Sequence, residues 1–99
     1  MEYLKRYNIS EEQIIRLKER YNEGIIEFLS ENREFIEEKL NILQKDGFVL
    51  LYEMLENNVK IFLETTISLE EKIQKMKQRK LNKKVMQMIL LTTELYDKV

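Results

Sequence analysis

Residues 28–48, FLSENREFIEEKLNILQKDGF, lie over residues 62–81, FLETTISLEEKIQKMKQRKL, with one single-residue gap. A chain that repeats itself at about 33 residues has few architectures open to it, because one such unit cannot bury its apolar face alone. Each copy holds a short apolar turn, a helix carrying Glu-Glu-Lys, a stop and the start of a second helix. The stop recurs near the N-terminus, where LKRYNIS (4–10) matches LQKDGFV (43–49) and MKQRKLN (76–82). These matches predict one all-α domain over 1–99, a small bundle or short solenoid of two to two and a half helix–turn–helix repeats. Counted from stop to stop, the units cover about 4–47 and 48–80, with a terminal helix over 82–97.

Helical spacing runs through the chain, and the period-two alternation of strands is missing. Ser10 and Gln13 form a capping box ahead of Ile14, Leu17 and Tyr21, which share one face, and Asn22 to Gly24 supply a stop. IIEFL (25–29) reads as a single turn, after which Ser30 caps a helix through about Lys45 with Ile36, Leu40 and Leu43 inward. Gly47 ends it. A helix from Phe48 to about Glu56 bears Leu51, Met54 and Leu55, Asn57-Asn58 breaks it, and VKIFL (59–63) is a second short apolar piece. Ser68 and Glu71 read as another capping box, opening a helix with Leu69, Ile73 and Met76 inward. That helix must end near Arg79, since Lys80 would otherwise enter the apolar face. A last helix from about Asn82 is expected to turn Val85, Met88, Ile89 and Leu95 inward.

The composition argues against catalysis. With no Cys or His, the usual nucleophile–base pairs and the Glu-x-x-His motifs of di-iron bundles cannot be assembled. Gly24 and Gly47 are isolated, so no glycine-rich phosphate loop exists. The expectation is a non-enzymatic protein with no metal site, no cofactor and no small-molecule substrate. Apolar runs are too short to span a bilayer, and Met1 is followed at once by Glu2, Lys5 and Arg6, unlike a signal peptide. A cytoplasmic location without membrane contact is therefore expected.

Charge is segregated along the chain. Residues 1–71 carry 9 basic and 16 acidic side chains, whereas residues 72–99 carry 8 basic and 2 acidic. The stretch KIQKMKQRKLNKK (72–84) holds seven cations and no acid. On a helix, Lys72, Lys75 and Arg79 form one ridge and Lys77 lies on the other flank, while Lys80, Lys83 and Lys84 cross the stop. Lys72, Lys75, Arg79, Lys80, Lys83 and Lys84 are therefore candidate contacts for nucleic-acid phosphates, salt-sensitive and tolerant of sequence. No aromatic residue interleaves them, so base stacking is not indicated. The same cations would also suit a solvated face answering Glu37, Glu38, Glu70 and Glu71, or the docking of an acidic protein. Leu90, Leu91 and Leu95 widen the apolar arc of the last helix and are candidate contacts for a partner or a second copy.

The stop LQKDGF and the stretch YEMLENNVKIFL that soon follows it resemble the repeats of the mitochondrial transcription termination factor family. Those repeats run helix, short turn, longer helix, with a Leu-x-x-x-Gly-Phe/Leu-like stop. The likeness spans almost the whole chain and implies nucleic-acid binding through basic residues on one side of a superhelix. The chain departs from the pattern near Glu23 and Asn58, where those repeats usually carry a proline.

Overall fold

In the computed structural model, which describes every residue from Met1 to Val99, φ is positive at Asn8 (61°), Gly47 (87°) and Lys80 (57°) and nowhere else. Each is the fifth residue of one of the three aligned stops. Four residues earlier stand Leu4, Leu43 and Met76, all fully buried. The amides of Asn8, Gly47 and Lys80 donate to the carbonyls of Lys5, Gln44 and Lys77, and Phe48 and Leu81 donate back to Leu43 and Met76. Bonds of this kind satisfy the orphan carbonyls of a helix end while the left-handed residue turns the chain.

All regular structure is helical, and it groups into three units when each is counted from its first helix. Unit 1 has a 3-10 helix Glu2–Tyr7, then α1 Glu11–Arg20 and α2 Glu23–Glu31. Unit 2 has α3 Arg33–Lys45, α4 Leu51–Asn57 and α5 Lys60–Leu63. Unit 3 has α6 Thr66–Gln78, α7 Lys83–Leu90 and α8 Thr93–Asp97. Equivalent helices lie in rows, α1 against α4 and α3 against α6. Tyr7 extends the second row by donating from the opening 3-10 helix to Glu37 and Asn41 of α3. Ile36, Leu40 and Leu43 of α3 and Leu69, Ile73 and Met76 of α6 fill the core between rows, as their spacing predicts.

One contact recurs in all three units. A donor on the first helix reaches the backbone carbonyl of a buried residue on the third: Tyr3 Oη to Leu29 at 2.6 Å, Lys39 Nζ to Phe62 at 3.3 Å, and Lys72 Nζ to Tyr96 at 3.4 Å. Lys39 and Lys72 are equivalent in the repeat, and each also lies over an aromatic ring, 3.0 Å from the Phe35 centroid and 4.0 Å from that of Tyr96. Phe62 and Tyr96 sit at the ends of four- and five-residue helices, where the carbonyls are the negative end of the dipole and favour a cation. Neither short helix has a side-chain cap, so this tether supplies part of what propensity cannot.

Several helix starts differ from the sequence expectation, each for a local reason. Residues 25–29 belong to a full helix, α2, because Asn22 caps it by accepting from the Ile25 amide. Ser30 lies inside that helix; α3 begins at Arg33, after Asn32 has turned its amide back onto the Phe28 carbonyl. Thr65 caps α6 by accepting from the Ser68 amide, so Ser68 is the receiving end of the cap and not its source. Phe48 is a buried linker residue, and α4 starts at Leu51. The largest correction is at the end of the chain. Met86, Leu90 and Tyr96 face inward, leaving Val85, Met88 and Leu95 exposed, and Thr92 breaks the expected single helix. Thr93 donates across to Asn57 and Asn58, which draws the chain out of line after α7.

Lys39 gives the fold a pH signature. It is fully buried, bonded to the Phe35 and Phe62 carbonyls, and burial pushes its ammonium down to about 8 from an ordinary 10.5. The folded state therefore releases this proton before the unfolded chain does, so stability should climb as pH rises from about 8 towards 10.5. Burial raises Tyr3, Tyr7 and Tyr96, which erode stability only above their ordinary value of 10.0. Urea unfolding between pH 8 and pH 10 should thus show a rising limb that disappears in Lys39→Met.

Candidate interaction surface at the basic stop

The basic stretch is divided by the structure into cations the fold engages and cations it leaves free. Asp46, the residue before Gly47, is the organising acid. Its carboxylate receives Lys77 at 3.1 Å and its carbonyl receives Lys83, joining the end of α3 to α6 and to the start of α7. Lys83 also lies 5.0 Å from the Phe48 ring centroid and covers Gly47, where an added Cβ would stand 3.0 Å from its Nζ. Lys72 is tethered to Tyr96. Of the six residues proposed for phosphate contact, Lys72 and Lys83 are therefore structural.

Lys75, Arg79, Lys80 and Lys84 remain, all exposed and without an ion pair or hydrogen-bond partner. The helical ridge explains the split. Lys72 marks the flank of α6 that faces α8, and Lys75 and Arg79 continue that flank beyond the reach of α8. Lys77, on the opposite flank, meets α3. Arg79 caps α6, Lys80 is the left-handed residue, and Lys84 lies in the first turn of α7, whose start is capped by Asn82. The acids expected to answer these cations are occupied or remote. Glu37 accepts from Arg33 and Tyr7, and the Arg33 guanidinium holds its carboxyl below the usual range. Glu38 accepts from Thr66, while Glu70 and Glu71 are exposed and unpaired. These carboxylates diverge, and no group of three or more acids converges on a metal-sized site.

The apolar candidates also change. Leu90 is fully buried and Leu91 half-buried against the core, so neither presents a free face. Leu95 is 43% exposed, and Val85 and Met88 join it at 38% and 56%. The reason is the rotation of α7. Its apolar residues cover a wide arc, so periodicity admits two registers, and the stop at Lys80 with the cap at Asn82 fixes the one that buries Met86 and Leu90. Met88 then neighbours both Lys84, at i, i+4, and Val85, at i, i+3. Two further residues escaped sequence reasoning. Lys39 resembles any surface lysine except through its alignment with Lys72, and Asp46 is one acid among many until Gly47 is seen to place it.

Paired substitutions separate the two classes of cation. Lys83→Met should lower stability by about 0.5–1 kcal/mol, through loss of the Asp46 bond. Lys84→Met, which removes a charge with no partner, should stay within about 0.5 kcal/mol of the unchanged protein in thermal unfolding.

Comparison with known proteins found no matching family model, no matching curated protein and no matching solved structure.

Proposed function

We propose that this chain is a non-catalytic interaction module whose docking surface is the outer side of unit 3, built from Val85, Met88 and Leu95 with Lys75, Arg79, Lys80 and Lys84 around them. The supporting observation is a contrast between equivalent positions. Ile61 in α5 is fully buried, whereas Leu95, at the same place in α8, is 43% exposed, and Met88 on the adjoining helix is 56% exposed. Single exposed apolar residues are ordinary, but here three lie on two helices that pack on each other, bordered by cations that have no partner. No helix is long and apolar enough to cross a membrane, so the exposed side chains do not belong to a spanning segment.

The test uses the immobilised chain and its Met88→Glu/Leu95→Glu variant. The variant should lose whatever macromolecule the unchanged chain retains, while its thermal midpoint falls by no more than a few degrees because both side chains are about half exposed. Equal retention by both proteins overturns the reading.

A second reading rests on the unpaired cations: contact with nucleic-acid phosphates, in keeping with the resemblance to the termination-factor repeats. It now involves Lys75, Arg79, Lys80 and Lys84 in place of six residues. Four phosphate contacts on a duplex predict a log–log salt slope of about −3.6, shrinking towards half in Lys75→Glu/Arg79→Glu. Absence of duplex binding at low salt removes this reading.

A further inference from the structure

The rows of helices show what kind of surface each flank is built to meet. At the seam between α3 and α6, unit 2 supplies acids and unit 3 supplies donors: Glu38 accepts from Thr66, and Asp46 accepts from Lys77 and, through its carbonyl, from Lys83. At the seam between units 1 and 2 the same unit is again the acceptor. Tyr7 donates to Glu37, Arg6 lies 3.9 Å from Glu37, and Arg20 and Tyr21 donate to the Glu56 carbonyl. Unit 2 is the acceptor in these contacts, while beyond its first helix Lys60, Asn58 and Val49 donate to Asp97, Leu90 and Gln87 of unit 3.

The outer flank of unit 3 carries exposed cations with no partner. Lys75 occupies the repeat position of Ile42, which is half-buried against the core, and Arg79 occupies that of Asp46. Lys80 and Lys84 continue the positive edge, and α7 carries no acid at all. Against this edge lie Val85 and Met88, with Leu95 on α8. Glu94 is the exposed acid on α8 that remains unpaired, since Asp97 is held by Lys60 at 2.7 Å. A phosphate backbone has no use for the apolar part. A second copy docked face to face would bring Lys75, Arg79 and Lys84 against their own kind, and like charges across an interface are strongly disfavoured.

We infer that the occupant of this surface is an acidic amphipathic helix of a partner protein, its apolar stripe on Val85, Met88 and Leu95 and its carboxylates on Lys75, Arg79, Lys80 and Lys84. The inference rests on the docking reading above and adds the chemistry of the partner. Recognition then follows the helix-in-groove pattern, with anchors at helical spacing giving affinity and the charged edge giving orientation and association rate.

The full chain, labelled at its methionine methyls, is titrated with two synthetic helical peptides, one of Leu and Glu and the other of Leu and Lys. The Leu–Glu peptide should shift the Met88 methyl and leave that of the buried Met54 in place. It should bind at least about tenfold tighter than the Leu–Lys peptide, and Arg79→Glu/Lys84→Glu should weaken it by about tenfold or more. Equal shifts of Met88 by both peptides leave the docking surface standing and overturn the acidic partner. So does self-association in sedimentation that Met88→Glu abolishes, because a second copy is then the occupant. No shift of Met88 with either peptide, or displacement of the Leu–Glu peptide by a duplex oligonucleotide, overturns the inference together with the reading beneath it.

Discussion

The tether from first helix to third decides whether these units can exist. Helices of four, five and seven residues, such as α5, α8 and α4, are far below the length at which an isolated helix holds in water. In units 2 and 3 a side-chain donor from the thirteen-residue first helix fixes the end of the short third helix. Lys39 and Lys72 do this with an ammonium on equivalent carbonyls, and in unit 1 Tyr3 reaches the Leu29 carbonyl with a hydroxyl. Lys39 shows how strongly the position is required. Burying an ammonium is unfavourable, yet its aromatic neighbour and two carbonyls make it tolerable where a smaller or apolar side chain would leave the Phe62 carbonyl unpaired.

The charge segregation of the chain acquires a structural meaning from the seams. Along α3, donors of units 1 and 3 converge on acids of unit 2, and Asp46 alone collects two lysines that are separated by the stop of unit 3. At the other end, Lys60 and Asp97 pair in the opposite sense. Most of these contacts are partly exposed and each is energetically modest. Their combined effect is on register. A unit slid by one turn along its neighbour would face cation against cation or leave Glu37 and Asp46 without donors.

Much of this was legible in the residues, for reasons that differ from place to place. The stops could be read because a left-handed residue needs a buried anchor four positions before it, and that anchor is apolar in all three copies. Repetition revealed Asn8 and Lys80 as equivalents of Gly47, which composition alone would not. Helix starts were harder, since Ser, Thr and Asn crowd each junction and whichever oxygen lies three residues before a free amide takes the cap, as Thr65 does ahead of Ser68. The face of α7 was not legible: KKVMQMIL offers apolar residues on more than half its circumference, and the rotation is set by the preceding stop and by Thr93 bonding across to α4. The candidate surface changed with it, from Leu90 to Met88.

The stacked order has a mechanical consequence. No hydrogen bond or ion pair joins unit 1 directly to unit 3; every one that leaves either unit ends on unit 2. The three layers are springs in series. Along the polar contacts, a load applied at Met88 or Lys84 reaches Tyr3 through unit 2, so the stiffness of that middle layer bears on how far an event at one end of the molecule is felt at the other.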